Sequence, residues 1–290
     1  MGVMQMSDNN FAVFILSHGR ADNVITYKTL RKHGYTGEIY IICDDGDLQL
    51  NQYKKKYGDK VIVFSKSEIL KTFDVGDNFG KTNAIVFARN ASFDIAEKLG
   101  IKYFIELDDD YSCFEFRIGV DGRYPMRIRE VVNLDKIFEI YLHYYISINA
   151  KSLALSQGGD YIGGSDAPAA SNKLMRKCMN SFFCSTDRRF NFSGFLNEDV
   201  TTYVLAQSKG DLFLTAPVVS IVQNNTQTNS GGMTDIYLQC GTYRKSFYSV
   251  MFCPSCVRIK KMGDKHYRLH HSVKWNNAVP KIISPKYKLN

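Results

Sequence analysis

Apolar runs of strand length alternate with segments of helical spacing along the N-terminal third of the chain. FAVFIL at Phe11–Leu16 and EIYIIC at Glu38–Cys43 are continuous apolar runs, as expected of strands buried on both faces. Lys60–Phe64 reads as a third strand. Between them, Asp22–His33, with Gly34 beyond its end, and Leu48–Tyr57 read as helices. Asn83–Leu99 sets Ala84, Phe87, Ala88, Ala91, Ile95 and Leu99 at helical spacing and meets a stop at Gly100. A fourth strand follows from Ile101. This alternation predicts an α/β fold around a mostly parallel sheet covered on both faces.

The second half is less regular. Leu134–Ile148 has the spacing of a helix rich in aromatics. Gln157–Lys173 contains GGDYIGGSDAPAAS and reads as a long loop or short hairpin. FNFSGFLNED at Phe190–Asp199 leads into a predicted helix, Val200–Lys209, stopped by Gly210. Asp211–Val222 alternates as strands do, and Gln223–Asp235 is polar, breaker-rich and suited to a mobile lid.

Parallel α/β sheets bind ligands beyond the carboxyl ends of their strands. Those ends are polar here: Ser17-His18-Gly19-Arg20 after the first strand, Asp44 and Asp45 after the second, and Asp108, Asp109 and Asp110 after IKYFIEL. Three carboxylates ending a buried strand repel one another and need a counter-charge. The triplet reads either as a solvated acidic turn or as the seat of a divalent cation. Hard oxygen donors suit Mg²⁺ or Mn²⁺, which suit a diphosphate. Aspartates two apart in an extended segment point to one side. Asp108 and Asp110 are therefore the candidate metal ligands, with Asp109 turned away or against a ribose.

Length and composition allow one large α/β domain or two small ones: 290 residues, 44% hydrophobic, with 6 prolines and no low-complexity block. No apolar run reaches the length of a membrane span. MGVMQMSDNN lacks the basic and apolar regions of a signal peptide, so the expected location is the cytoplasm. The 7 cysteines are scattered, unlike a secreted disulfide framework, and read as small buried apolar residues. The net charge of +8 is lodged at the C-terminal end. Residues 251–290 carry Arg258, Lys260, Lys261, Lys265, Arg268, Lys274, Lys281, Lys286 and Lys288 against Asp264 alone. A basic end on a neutral body fits a polyanionic partner, or is a solvated face.

Other constellations admit two readings each. Asn197-Glu198-Asp199 opens a helix, where carboxylates either cap it or supply a general base to an acceptor hydroxyl. His270-His271 belongs to the basic stretch or completes a metal shell. Arg89, on the helix before the acidic strand, is a solvent-facing charge or a group that binds phosphate or base. Cys253-Pro-Ser-Cys256 with His266 and His270 has a gap too short for a zinc finger and reads better as buried cysteines around a turn. Ser17–Arg20 lacks the P-loop pattern, and no Gly-x-Gly-x-x-Gly follows the first strand, which disfavours P-loop NTPases and nicotinamide enzymes.

Taken in order, the features resemble a GT-A nucleotide-sugar glycosyltransferase over most of the chain. They are a polar loop after the first strand, an Asp ending the second, an Arg-Asn helix, an Asp-x-Asp strand end, a Glu-Asp pair at a helix and a late His. FILSHGRADNVITYKTLRKHGYTG, FIELDDDY, GGM with GTYRKSFYSVM, and RLHHSVKWNNAVPKI resemble more closely the TET-associated glycosyltransferase family of phage type. That resemblance implies one GT-A-like domain over 1–290. A nucleotide-sugar half would end near residue 112 and an acceptor half with the basic region would follow. It also implies Mn²⁺ or Mg²⁺ as cofactor and a nucleotide-sugar, of UDP type, as co-substrate. The acceptor would be the hydroxymethyl group of a modified pyrimidine in DNA, foremost 5-hydroxymethylcytosine, and a bacteriophage-encoded enzyme would act in the host cytoplasm.

The implied roles fall on particular residues. Asp108 and Asp110 hold the metal, joined by His270 or His271. Ser17 and Arg20 form the first nucleotide loop, Asp44 or Asp45 holds the nucleobase or ribose, and Arg89 and Asp109 lie on the nucleotide side. Asp199 or Glu198 serves as base. Two other readings compete: a glycosyltransferase acting on protein or glycan, and a non-enzymatic nucleic-acid-binding module with a degenerate donor site.

Overall fold

The computed structural model describes residues 10–77, 80, 83–118, 126–161, 175–223, 243–262, 268–278 and 285, with backbone alone at 118, 126–128 and 268. Its strands are β1 (Phe11–Leu16), β2 (Glu38–Asp44), β3 (Val61–Phe64), β4 (Tyr103–Asp108), β5 (Tyr111–Ile118), β6 (Met126–Glu130), β7 (Ser152–Gln157), β8 (Ser181–Ser185), β9 (Phe213–Gln223), β10 (Val257–Met262) and β11 (Arg268–Val273). The helices are α1 (Ile25–Lys32), α2 (Leu50–Tyr57), α3 (Lys66–Ile69), α4 (Val86–Lys98), α5 (Leu134–Ile148), α6 (Glu198–Ser208), α7 (Tyr243–Phe252) and α8 (Trp275–Ala278).

Nine strands form one sheet in the order β3-β2-β1-β4-β8-β7-β9-β5-β6, and β10 and β11 form a separate antiparallel hairpin. The strands β3, β2, β1 and β4 are parallel, as expected of the N-terminal alternation. Beyond β4 the sheet becomes mixed: β8 runs antiparallel to β4, and β7 and β9 pair in parallel. The α/β class is the one expected.

The period of two along β1 divides the core between the sheet faces. Ala12, Phe14 and Leu16 join Phe93 and Phe104, with Phe14 and Phe104 stacked at 4.9 Å. Phe11, Val13 and Ile15 join Phe138, Phe183 and Tyr145 on the other face. Helix α4 buries nearly its whole length, which its weak amphipathicity allows, and Gly100 at φ 69° ends it as expected. Helix α5 is capped by Asn133, whose side chain accepts from the Lys136 amide.

Several boundaries differ from expectation. A turn at Arg20–Asn23 delays α1 to Ile25. The expected strand does not end in a solvated loop: only Asp109 and Asp110 separate β4 from β5. Strands β5 to β8 and the hairpin are not apparent in the sequence pattern. Helix α6 starts at Glu198, with Asn197 in the left-handed region, so the acidic pair is the first turn of the helix. Within Gln157–Lys173, Gly158–Tyr161 forms a 3-10 turn, and the remainder of that loop, like the expected lid beyond Gln223, lies outside the described residues. Cys43, Cys113, Cys178, Cys184, Cys253 and Cys256 are buried thiols outside any disulfide. No helix among the described residues is long and apolar enough to cross a membrane.

Candidate active site

Strand β1 lies between β2 and β4: the chain runs outward from β1 to β2 and β3, then crosses back to β4 on the other side, the switch in strand order at which such sheets open a crevice at their carboxyl ends. Leu16 and Asp108 are paired in register at that edge. Just beyond, the Ser17 hydroxyl donates to Asp109 Oδ2 at 2.6 Å and Arg20 Nη1 to Asp109 Oδ1 at 2.7 Å. The Tyr53 hydroxyl lies 2.7 Å from Ser17 Oγ and accepts from the Arg20 amide. Ser17, Arg20 and Asp109 are thus brought together, with Asp109 buried as the brace of the loop.

At the end of β2, Asp44 accepts from His18 Nδ1 at 2.5 Å, from Lys66 Nζ at 2.8 Å and from the Gly46 amide. Asp47 accepts from the amides of Gly19 and Gln49, fixing the glycine of the first loop. Asp45 is exposed on the rim and accepts from the Lys66 amide. Asp44 is therefore the member of the pair built into the crevice. Its hydrogen bond raises the His18 pKa. Burial opposes ionisation of Asp44, but bonds from His18 and Lys66 hold its pKa below the ordinary value. His18, Asp47 and Lys66 carry no sequence motif of their own; the only signal is their position at adjacent strand ends.

Arg89 is placed differently from either expectation. It is 1% exposed, so it is neither a surface charge nor open to a nucleotide. Its Nη2 donates to Asp108 and its Nε to Glu198, each at 3.1 Å, and Nη1 meets Glu106 at 3.4 Å. Phe182 and Phe192 flank the guanidinium. Only a planar, permanently charged fork can serve three carboxylates in such a site. Burial pushes Glu106 up to about 8, against the pull of Arg89, and its Oε1 has no hydrogen-bond partner. Arg89 ties the end of β4 to the start of α6.

Asp108 faces Arg89, and Asp110 accepts from Gln223 Nε2 at 2.9 Å. Burial pushes Asp108 up to about 7, against the pull of Arg89, and repulsion from Asp110 adds to the rise. Burial and the Asp109 charge likewise raise Asp110. Among the described residues, Asp108, Asp110 and the late histidines do not form a ready cage of three close ligand atoms. Mg²⁺ does not require one: one or two carboxylates plus substrate phosphates and water suffice. The hard oxygen set and its excess negative charge fit such an ion.

At the start of α6, Glu198 and Asp199 are both buried. The Val200 amide donates to Asp199 Oδ1 at 2.7 Å. Burial, then the Glu198 charge, pushes Asp199 up to about 6. The left-handed turn at Asn197 aims its amide at Ser249 Oγ, at 2.5 Å, and at His271 Nδ1, at 3.2 Å. Asn197 thereby ties His271 to the start of α6, and burial holds the ring neutral, with its pKa about 3. His270 instead donates from Nδ1 to the His271 carbonyl. The rings lie 4.2 Å apart.

Residues 11–232 match the family model of the TET-associated glycosyltransferases, well over half of the chain. The chain belongs to that family. This TET-associated glycosyltransferase has no match among curated protein sequences. Its fold is similar to that of a mycobacterial protein, at a TM-score of 0.51 and 8% identity, covering 92% of this chain and 85% of that one. Glucosyl-3-phosphoglycerate synthase from Mycobacterium tuberculosis, crystallised with Mn²⁺ and UDP-glucose, superposes at 0.46 and 8% identity over 92% and 88% of the two chains. TarS from S. aureus superposes at 0.44 and 12% identity over 74% of this chain and 37% of that one. Family membership makes the chain an enzyme of the glycosyltransferase class, on the GT-A-like α/β scaffold expected.

Proposed function

We propose that this TET-associated glycosyltransferase moves a sugar from a UDP-sugar to the hydroxymethyl group of a modified pyrimidine in DNA, foremost 5-hydroxymethylcytosine, with Mn²⁺ or Mg²⁺ as cofactor. The observation that carries the reading is the linkage of three pieces into one site. Arg89 joins the Asp108 strand end to α6, and Asn197 joins α6 to the basic hairpin that carries His271.

The residues divide the work. Ser17 and Arg20, braced by Asp109, and Asp44 with His18 shape the nucleoside side of the crevice. Asp108 and Asp110 would hold the ion, with His270 or His271 completing its shell; His270 gives its Nδ1 proton to a backbone carbonyl and so keeps the Nε2 lone pair, whereas His271 spends Nδ1 accepting from Asn197. A bound divalent ion supplies charge neutralisation for the departing diphosphate. Asp199 takes the proton of the acceptor hydroxyl in an inverting transfer; its carboxylate is ionised at neutral pH yet basic enough to accept. Glu198, held by Arg89, keeps the start of α6 at that position.

The acceptor side fits a polyanion. Arg258, Lys260 and Lys261 are exposed on β10, and Trp275 is 39% exposed while stacked on Tyr203. Exposed cations suit a phosphate backbone, and an exposed ring suits an extruded base. Base flipping costs a few kcal/mol, which phosphate contacts can offset. The test is a competition among hydroxymethylated duplex, unmodified duplex and protein or glycan acceptors under a panel of nucleotide-sugars. Transfer confined to the hydroxymethylated duplex is expected; equal transfer to a protein or glycan would overturn the DNA assignment.

A further inference from the structure

We propose that His33, Cys113 and Glu130 form a second metal site, for Zn²⁺, that pins the carboxyl end of α1 to the β5–β6 pair. One ligand atom from each of the three lies within 4.8 Å of the others. An imidazole, a thiol and a carboxylate make a donor set typical of zinc rather than of Mg²⁺.

The decisive feature is the state of His33. It is 1% exposed, and its Nδ1 lies 2.5 Å from the Val131 carbonyl. A carbonyl only accepts, so Nδ1 carries the proton and Nε2 carries the lone pair. Nε2 is buried and has no hydrogen-bond partner. A ring N–H given to a backbone carbonyl, with the other nitrogen presented unprotonated, is the arrangement that orients metal-binding histidines. Leaving such a nitrogen buried and unmet is costly otherwise.

The backbone is built to hold the group. Gly34, at φ 80°, packs so closely that a Cβ there would stand 2.7 Å from the Val132 carbonyl. The Leu134 amide donates to the His33 carbonyl at 2.8 Å. Cys113 is buried on β5, while Glu130, at the end of β6, is partly exposed and bridged to Lys32, which leaves a path for an ion from solvent. On binding, the Cys113 thiol releases its proton to solvent and the thiolate joins His33 Nε2 and a Glu130 oxygen; water completes the shell. The site is distinct from the Asp108–Asp110 cluster. Thr26, which donates to the Asp108 carbonyl, sits at the other end of α1, about 10 Å away by helix rise.

The test uses the full chain stripped of metal and titrated with Zn²⁺, and with Co²⁺ as a spectroscopic probe. Stoichiometric Zn²⁺ binding and a thiolate-to-cobalt charge-transfer band are expected. Both should vanish in Cys113→Ser and persist in Asp110→Ala. Glu130→Gln, at a partly exposed position that tolerates change, should weaken Zn²⁺ binding by more than the roughly 10-fold that loss of an outer partner already costs. Absence of the charge-transfer band in the wild type, or Zn²⁺ binding equal in wild type and Cys113→Ser, would overturn the site.

Discussion

Asp108 and Glu198 are held by one guanidinium: Arg89 donates to each at 3.1 Å, from Nη2 and Nε respectively. The end of β4 and the helix that carries the acidic pair are thereby locked in one buried ion cluster. Removing the cation leaves buried carboxylates without their counter-charge. Arg89→Met should lower unfolding free energy by about 3–5 kcal/mol in urea titration. Arg89→Lys should recover only part of that, because an ammonium cannot serve three carboxylates as a fork does. A loss below about 1 kcal/mol, the level of an exposed pair, would deny Arg89 this role.

Asp199→Asn removes the proposed proton acceptor without removing bulk. Turnover should fall by about 10²–10⁴-fold while donor affinity is nearly unchanged. In the wild type, the rate of an inverting transfer should decline as pH falls through about 6, where Asp199 takes up its proton. A flat profile across that range with an inverted product would rule Asp199 out as base.

The His18–Asp44 pair can be followed by NMR. The hydrogen bond to Asp44 raises His18 above its ordinary 6.5, so its stabilising contribution is full below 6.5 and is lost as pH rises through the folded pKa. Burial works against the Asp44 anion but His18 and Lys66 outweigh it, so that contribution is present above 3.8 and is lost as pH falls through the lowered folded pKa. The pair therefore holds across the window between them. In Asp44→Asn the His18 midpoint should drop; an unchanged midpoint would separate the two residues.

Donor binding should depend on metal. Calorimetry with UDP is expected to show tight binding with Mn²⁺, weak binding after chelation, and weak binding in Asp110→Ala under either condition. Equal affinity with and without Mn²⁺ would remove the ion from the donor site.

The basic hairpin should act on the acceptor alone. Arg258→Ala with Lys260→Ala should raise KM for DNA and reduce the salt slope of DNA binding by about 1 for each phosphate that the removed cations neutralise. UDP affinity should be unchanged. An unaltered salt slope would place the DNA elsewhere.

The parallel half of the fold is legible in the sequence because buried strands announce themselves as continuous apolar runs, and Gly34 and Gly100 mark helix ends. The strand-end rule then locates Ser17, Asp44 and the aspartate triplet. The mixed half is not legible: β7 and β8 are short and lie beside breaker-rich or irregular segments. Arg89 shows a second limit. Local spacing identifies a helix position, but it does not reveal that Glu106, Asp108 and Glu198 converge there from separate elements. The tie from Asn197 to His271 is hidden for the same reason, since it joins α6 to a hairpin far along the chain.

The most direct test is nucleoside mass analysis of hydroxymethylcytosine duplex after incubation with wild-type enzyme, a UDP-sugar and Mn²⁺, beside Asp110→Ala and Asp199→Asn. The wild type should yield 5-hydroxymethyl-2′-deoxycytidine heavier by one sugar residue, the two variants little or none, and unmodified duplex none. Undiminished product from Asp110→Ala, or no sugar-bearing nucleoside with any nucleotide-sugar tried, would contradict the assignment of this site to metal-assisted transfer onto hydroxymethylated DNA.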